Sequence, residues 1–219
     1  MRTIAVIARK GGSGKTTVAV HMAIAAHLRG FRTLVGDSDP QRSSSTVLRG
    51  RSGPGPACAE TSGIELVGLQ AGAVRAGLDA FFIDTAAGAE DELAHAIVLA
   101  DLCLLVIRPT FLDFAAAVRT AEVLRRLKKP GLIVLNQAPV SRAGAEPPLV
   151  KKAQEALRLM RLPLAPTIVR ARTAYQSALE SGASVEEVAP GTIAAEEIAD
   201  LWTYIERLAF GSAALRRRA

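Results

Sequence analysis

The chain alternates between short continuous apolar runs and longer segments in which apolar residues recur every three or four positions. Runs such as 3–8, 80–84 and 102–107 are rich in aliphatic and β-branched residues, which is typical of strands buried on both faces. The longer segments end at glycine or proline and predict helices. Strands that alternate with helices predict an α/β fold whose mostly parallel sheet carries helices on both faces.

The pattern assigns most of the chain to regular elements. Strands are predicted at 3–8, 33–37, 64–69, 80–84, 102–107, 132–136 and 167–169. Helices are predicted at 17–28, 41–48, 90–99, 113–128, 145–161, 173–181 and 192–210, with Asp113 as the cap of its helix. Residues 52–61 are rich in glycine and proline and predict a surface loop. The result is a single domain over 1–210, followed by a basic tail over 211–219.

Composition narrows the class of protein. Apolar residues make up 49% of the 219 residues and aromatic residues only 4%, so aliphatic side chains and alanine are expected to fill the core. No apolar run reaches the roughly 18 residues that span a bilayer. The N-terminus enters a strand at once, without a secretory signal, which predicts a cytoplasmic protein. Cys58 and Cys103 form no C-x-x-C pair and predict free thiols.

Residues 10–17, with the sequence KGGSGKTT, lie between a predicted strand and a predicted helix. This context is typical of a phosphate-binding loop, although the first glycine of the usual pattern falls at Arg9. The loop's N–H groups and the helix N-terminus favour an anion. Lys15 is expected to contact the β- and γ-phosphates and Thr16 to ligate Mg²⁺. The predicted nucleotide site comprises Lys10, Gly11, Gly12, Ser13, Gly14, Lys15, Thr16, Thr17 and Asn136.

Carboxylates follow two of the predicted strands, where the ligands of parallel sheets bind. Asp84 ends a buried strand and is expected to hold Mg²⁺ through water, opposite Thr16. Asp39 is the candidate for orienting an attacking water, and Asp37 for the outer shell of the metal. Gly88 is a candidate backbone donor to a γ-phosphate.

Asn136 follows the strand at 132–136 and begins the sequence NQAP. Proteins that bind guanine use the pattern N-K-x-D, whose aspartate accepts from the base. Pro139 stands where that aspartate would be, while Asn136 can still contact an adenine edge. The sequence therefore favours ATP over GTP.

Several motifs together resemble the ParA/MinD family of ATPases with a deviant phosphate loop, and are similar to its small plasmid-partition members of the ParF type. They are the loop at 10–17, the sequence DSDPQ at 37–41, the sequence FIDT at 82–85, the sequence LDFAA at 112–116 and the region from Arg170 to Val185. The resemblance covers residues 1 to about 210. It implies a P-loop ATPase fold, weak Mg²⁺-dependent hydrolysis of ATP to ADP, and a partner protein of the ParB or ParG type.

The resemblance also implies a role for Lys10, the second lysine of the loop. In the family, two subunits face each other with ATP sandwiched between them, and the extra lysine acts across that interface. Lys10 is therefore expected to contact the partner's nucleotide in an ATP-dependent homodimer, so that Lys10, Lys15 and Asp39 are the candidate catalytic residues.

Positive charge suggests an acidic partner. The net charge is +6 and the pI about 9.8, which favours nucleic acid. The candidate DNA contacts are Arg170, Arg172, Lys151 and Lys152, with further basic charge at Arg158, Arg161 and 216–218. Sequence-independent binding through such residues predicts a protein associated with the nucleoid. A solvated helix face is the alternative for any one of them.

Two other functions fit this fold class. A membrane-associated positioning ATPase like MinD needs a terminal helix with a free apolar face, but Ile198, Leu201, Trp202, Ile205 and Leu208 form a stripe that predicts a core face. A metabolic enzyme similar to dethiobiotin synthetase would lack Lys10 and the DSDPQ segment. The favoured function is positioning of a cargo, which can be a plasmid, a chromosome or a protein assembly.

Overall fold

The computed structural model describes residues 1–88, 90–141 and 144–211. Its described residues form a six-stranded sheet in the order β3-β2-β4-β1-β5-β6, and every strand pair is parallel. The strands are β1 (Arg2–Ile7), β2 (Thr33–Asp37), β3 (Ala57–Glu60), β4 (Ala80–Asp84), β5 (Leu102–Ile107) and β6 (Gly131–Leu135). The predicted α/β class with a parallel sheet is therefore confirmed.

Helices cover both faces of this sheet. They are α1 (Lys15–Leu28), α2 (Ser43–Arg49), α3 (Leu66–Arg75), α4 (Glu90–Leu99), α5 (Phe111–Arg126), α6 (Pro148–Arg158), α7 (Thr173–Glu180), α8 (Val185–Val188) and α9 (Ile193–Phe210). Because side chains alternate along a strand, β1 sends Ile4 and Val6 into one core and Ala5 and Ile7 into the other. The first core contains α1 and α9, and the second contains α4, α5 and α6.

The last helix packs its apolar stripe into the first core, as the sequence predicts. Trp202 is fully buried, and its ring lies 5.5 Å from that of Phe31 and 6.2 Å from that of Phe82. Leu208 alone departs from the stripe, since it is 47% exposed. None of the helices within the described ranges is long and apolar enough to cross a membrane. Cys58 and Cys103 are free thiols, as predicted.

The strand predicted at 64–69 is wrong, because these residues lead into α3. Ser62 and Glu65 form a helix start: the Glu65 carboxylate accepts from the Ser62 N–H at 3.0 Å and from its hydroxyl at 2.9 Å. This serine followed three residues later by glutamate is a helix-start signal that the alternation of apolar residues obscured.

Other predicted bounds also need correction. The loop predicted at 52–61 contains β3, an edge strand too short and too poor in β-branched residues to stand out. Residues 167–169 form no strand, although the Val169 N–H donates to the Leu135 carbonyl at 3.0 Å. Thr110, not Asp113, caps α5, because its hydroxyl accepts the Asp113 N–H. The helix predicted at 145–161 begins only at Pro148, and α8 was not predicted. The basic tail at 212–219 lies outside the described residues.

His21 is a buried titratable group in α1, away from the ends of the strands. Its Nδ1 lies 3.0 Å from the Ser184 hydroxyl, and its Nε2 has no partner in the described part of the chain. Burial lowers the pKa of His21 to about 4, against a smaller opposing effect of the Tyr175 backbone and the Glu187 carboxylate. Between pH 6.5 and 4 the unfolded state therefore binds more protons than the folded state.

We expect the free energy of unfolding to fall as the pH drops from 6.5 to 4, by about 3 kcal/mol from His21 alone. His21→Asn should remove this part of the pH dependence, whereas His95→Asn, at an exposed position of α4, should keep it. Urea unfolding of the three proteins at several pH values measures the difference. If the free energy of unfolding depends on pH equally in wild type and His21→Asn, the lowered pKa of His21 is contradicted.

Candidate functional site

The loop between β1 and α1 has a backbone that only glycine adopts easily. Gly12 has φ of 71° and Gly14 has φ of 88°, both in the left-handed region. A Cβ on Gly14 would overlap the side-chain amide of Asn136. Gly14 immediately precedes the first residue of α1, so the loop delivers its N–H groups to the positive end of a helix.

Two side chains that follow β6 hold this loop in place. The Asn136 amide donates to the Ser13 carbonyl at 2.8 Å, and the Gln137 amide donates to the Gly12 carbonyl at 3.0 Å. Asn136 thus supports the loop, and its contact with a base stays a prediction. Gln137 was not singled out from the sequence, where nothing distinguishes it from other glutamines in loops.

Lys15, the first residue of α1, is buried without a counter-ion. Its side chain belongs to a residue that is only 6% exposed, and no carboxylate of the described residues lies within 4 Å of its ammonium. Burial lowers the pKa of Lys15, and the charges of Asp84 and Asp39 offset only part of this effect. A buried cation without a partner is costly, so the position suits an anionic ligand.

Asp84 lies at the end of β4, fully buried. Its Oδ2 accepts from the Ser44 hydroxyl at 2.5 Å, while its Oδ1 is buried with no partner in the described ranges. Burial raises the pKa of Asp84 to about 6, and the hydroxyls of Ser44 and Thr16 oppose that shift. Ser44 was missed because its polar segment, 43–45, gives no indication of which serine turns inward.

Mg²⁺ prefers oxygen ligands with negative charge. The unpartnered Oδ1 of Asp84 and the nearby Thr16 hydroxyl provide such oxygens beside the Lys15 ammonium. These residues fit a magnesium ion that accompanies a phosphate.

Asp37 is placed beside Asp84, because β2 and β4 pair these two residues in register. Its Oδ1 accepts the Asp39 N–H at 3.2 Å and its Oδ2 the Ser45 N–H at 2.8 Å. Asp37 therefore fixes the turn that carries Asp39 and the start of α2, and its role in the metal's outer shell stays a prediction. Arg42, with φ of 53°, tightens the same turn through the carbonyls of Asp37 and Thr61.

Lys10 differs from Lys15 in its exposure to solvent. It is exposed, and none of the described carboxylates lies within ion-pair distance of it. Its neighbour Arg9 pairs with Glu90, and Arg108 pairs with Asp113 at 3.1 Å. Gly88 is also exposed, with φ of 77°. Lys10 is thus free to meet a group outside its own subunit.

A cleft of about 360 Å³ opens beside the loop, next to Thr17 and Asn136. Arg170 and Arg172 line it, and both are committed to ion pairs: Arg170 with Glu146 at 2.7 Å and Arg172 with Glu197 at 2.6 Å. Lys151 and Lys152 are exposed on α6 and do not line the cleft. The structure thus separates the four candidate DNA contacts into two groups.

Comparison with known proteins identifies the family. Residues 4–185 match the family described as the CobQ/CobB/MinD/ParA nucleotide binding domain. The chain belongs to this family. The resemblance to ParA/MinD ATPases that the motifs indicate is thereby confirmed, as is the fold.

Individual relatives agree with this placement. The chain is 31% identical to the maintenance of carboxysome distribution protein A of Gloeobacter kilaueensis over 188 residues, which cover 84% of this chain and 83% of that protein. A putative replication protein A of Rhizobium rhizogenes is 49% identical over 48 residues, 22% of this chain and only 12% of that protein's length.

Solved structures show the same fold. The cell division ATPase MinD of Pyrococcus furiosus superposes with a TM-score of 0.78 at 21% identity, over 95% of this chain and 99% of that one. MinD of Pyrococcus horikoshii, solved with Mg-ADP, gives a TM-score of 0.75 at 18% identity, over 94% and 96% of the two chains.

Replacing Gly14 tests the geometry of the loop. Gly14→Ala should destabilise the nucleotide-free protein by about 1–3 kcal/mol, because its φ is left-handed and its Cβ meets Asn136. Gly11→Ala is the matched control, since a Cβ there meets nothing within 4 Å. Urea unfolding without nucleotide measures both, and equal stabilities would contradict the described loop.

Proposed function

We propose that this chain is a ParA-type ATPase that hydrolyses ATP to ADP and phosphate and positions a cargo on DNA. One observation carries the proposal: Lys15, a largely buried residue at a glycine loop, has no carboxylate within ion-pair distance, and Asp84 nearby has a buried oxygen without a partner in the described residues. A nucleotide phosphate together with a divalent cation satisfies both groups. Pro139, in place of a guanine-binding aspartate, favours ATP.

Each residue then has a definite role. The loop N–H groups and Lys15 bind the β- and γ-phosphates, while Thr16 and Asp84 hold Mg²⁺, partly through water. The ion, when bound, neutralises charge that develops on the phosphates. Asp39 orients the attacking water from the turn that Asp37 fixes. The family membership and the Mg-ADP bound to a MinD of the same fold support this assignment.

The exposure of Lys10 supports an ATP-dependent dimer. A lysine outside its own phosphate site gains charge-assisted contacts when a second subunit brings another nucleotide to it. ATP then stabilises a homodimer in which each Lys10 contacts the partner's nucleotide, and hydrolysis weakens that dimer. The γ-phosphate acts as the switch between the two states.

The cargo belongs to a class that relatives suggest. One relative is named for maintaining carboxysome distribution and a neighbour for cell division, so a protein assembly, a plasmid or a chromosome is positioned. The dimer binds DNA without sequence preference, in the cytoplasm on the nucleoid, and an adaptor protein of the ParB or ParG type links it to the cargo.

Lys10→Ala should leave ATP binding to the monomer intact and abolish both the ATP-dependent dimer and hydrolysis, because only the contact across the interface is lost. Lys152→Ala, at an exposed lysine of α6, is the control and should dimerise like wild type. Light scattering with MgATP, alongside phosphate release, measures both. A Lys10→Ala dimer of undiminished stability rules out the role across the interface.

Asp39→Ala should prolong the ATP-bound dimer and slow hydrolysis by 10-fold or more, since it removes a water-orienting group but no phosphate contact. Asp200→Ala, at an exposed position of α9, should behave like wild type. Single-turnover phosphate release and dimer lifetime give the comparison. Rapid turnover by Asp39→Ala would assign the water to another residue.

A further inference from the structure

Most arginines of the described residues already pair with a carboxylate. The ten ion pairs of the described residues engage Arg2, Arg9, Arg29, Arg32, Arg42, Arg49, Arg51, Arg108, Arg170 and Arg172. The side chain of Arg170 is only 12% exposed and that of Arg172 25% exposed. Each of these arginines binds its carboxylate through two nitrogens. Contacts from them to DNA would first have to break those pairs.

The unpaired basic residues are concentrated elsewhere. We call the following set the α5–α6 surface: Arg119, Arg125, Arg126, Lys128, Lys151, Lys152, Arg158 and Arg161. All of them are exposed, and none has a carboxylate within 4 Å in the described ranges. Outside this set and the phosphate loop, only Arg75, Arg207 and Lys129 are without a described carboxylate, and Lys129 donates to the carbonyls of Val98 and Ala100.

These residues share one side of the molecule. Both α5 and α6 pack into the second core, against the same face of the sheet. Near Gly131, Leu124 of α5 and Leu162, four residues beyond the end of α6, approach the same point: a Cβ there would lie 2.9 Å from Leu124 and 3.5 Å from Leu162. Two carboxylates, Glu122 and Glu155, share the helices without pairing to the basic groups. The unpaired positive charge is therefore carried by two helices that lie on the same face of the sheet.

Helix stability explains only part of this charge. Cations in the last turn, such as Arg125, Arg126 and Arg158, offset the negative end of a helix. Lys151 and Lys152 lie near the start of α6, where a cation opposes the helix dipole. They weaken the helix slightly, which points to an external anion as their partner.

We propose that the α5–α6 surface is where this protein holds the backbone of duplex DNA. The proposal rests on the proposed function and names the part of the chain that performs its DNA binding. From Lys151 to Arg158 the helix rises by about 10 Å. Duplex DNA carries one charge per ~1.7 Å of axis, so a surface of this length faces several phosphates.

A membrane is a poorer partner for the same surface. A helix that binds an anionic membrane inserts a free apolar face between the lipids. The apolar face of α6, formed by Val150, Ala153 and Leu157, is buried in the second core. Leu149 is the large apolar side chain of α6 that is exposed, and Leu159 follows the end of the helix. The exposed side chains that follow Leu149 within α6 are charged, which suits a polyanion in water.

The part of the surface at the end of α5 is remote from the phosphate loop. The start of α5 lines the cleft beside Lys10 through Asp113 and Ala116, whereas Arg126 lies 13 residues beyond Asp113, about 20 Å along the helix. Nucleotide at the loop therefore does not touch Arg126 directly. ATP strengthens binding because a dimer presents two such surfaces at once.

The test compares two double variants of equal charge. Arg126→Gln/Arg158→Gln removes two arginines of the α5–α6 surface, and Arg75→Gln/Arg207→Gln removes two exposed, unpaired arginines elsewhere. Binding to a fluorescent duplex is measured by anisotropy with MgATP over a series of salt concentrations. The first variant should bind more weakly, with a slope of log K against log salt shallower by up to about 4 units, because each of the two subunits in the dimer loses two contacts. The control should keep at least most of the wild-type slope.

Further arms separate the possible outcomes. Light scattering must show that both variants form the ATP-dependent dimer, and Lys151→Gln/Lys152→Gln should repeat the loss of slope. If wild type binds DNA but both arginine doubles lose the same slope, the α5–α6 assignment is overturned while the proposed DNA binding stands. If wild type shows no salt-dependent binding, the DNA part of the proposed function fails first. Binding of the same proteins to phosphatidylglycerol vesicles is measured in parallel. If Arg126→Gln/Arg158→Gln loses binding to the vesicles while its DNA binding is unchanged, the assignment is overturned in favour of a membrane.

Discussion

A largely buried lysine without a carboxylate partner, Lys15, is the constraint around which the site is organised. Lys15 is 6% exposed, and its burial lowers its pKa. Asp84 and Asp39 attract its charge from beyond ion-pair distance and leave the position incomplete. Many arginines of the same chain have a carboxylate within ion-pair distance. The absence of such a carboxylate at Lys15 is therefore not a general property of the basic residues in this protein. A nucleotide phosphate with Mg²⁺ supplies the missing negative charge without giving the free protein a permanent ion pair.

The rest of the fold keeps that position rigid. Parallel strands bring Asp84 and the phosphate loop to one edge of the sheet, and Asn136 fastens the loop from β6 through the Ser13 carbonyl. Both carboxylate oxygens of Asp37 accept hydrogen bonds from backbone N–H groups, which fixes the turn that carries Asp39. Polar groups at this end of the sheet thus fix the loop and the turn in place. The charge that meets DNA in our proposal lies on α5 and α6, so binding of the two anions is separated in space.

The hydrophobic pattern and the sequence motifs predict the parallel sheet and the position of the phosphate loop. Strands buried on both faces are continuous apolar runs, and those at 33–37, 80–84 and 102–107 have the predicted bounds. The residues that hydrogen-bond to the site residues are harder to predict from the sequence. Ser44 and Gln137 reach Asp84 and Gly12 only through the tertiary fold. Pairing of Arg170 with Glu146 and of Arg172 with Glu197 joins residues 24 and 25 positions apart, which no local pattern encodes. The serine at 62 and the glutamate at 65 are a sequence signal for a helix start. The alternation of apolar residues over 64–69 favours a strand instead, and the prediction followed that alternation.

The most direct test of the central claim is the stability of Lys15→Met by urea unfolding, with and without MgATP. Methionine fills a similar volume without charge, so the account predicts that the nucleotide-free variant is at least as stable as wild type. Wild type should gain about 2.7 kcal/mol from MgATP at 100 times its Kd, and the variant should gain nothing. A variant that is less stable than wild type without nucleotide, or that MgATP still stabilises, would contradict the account.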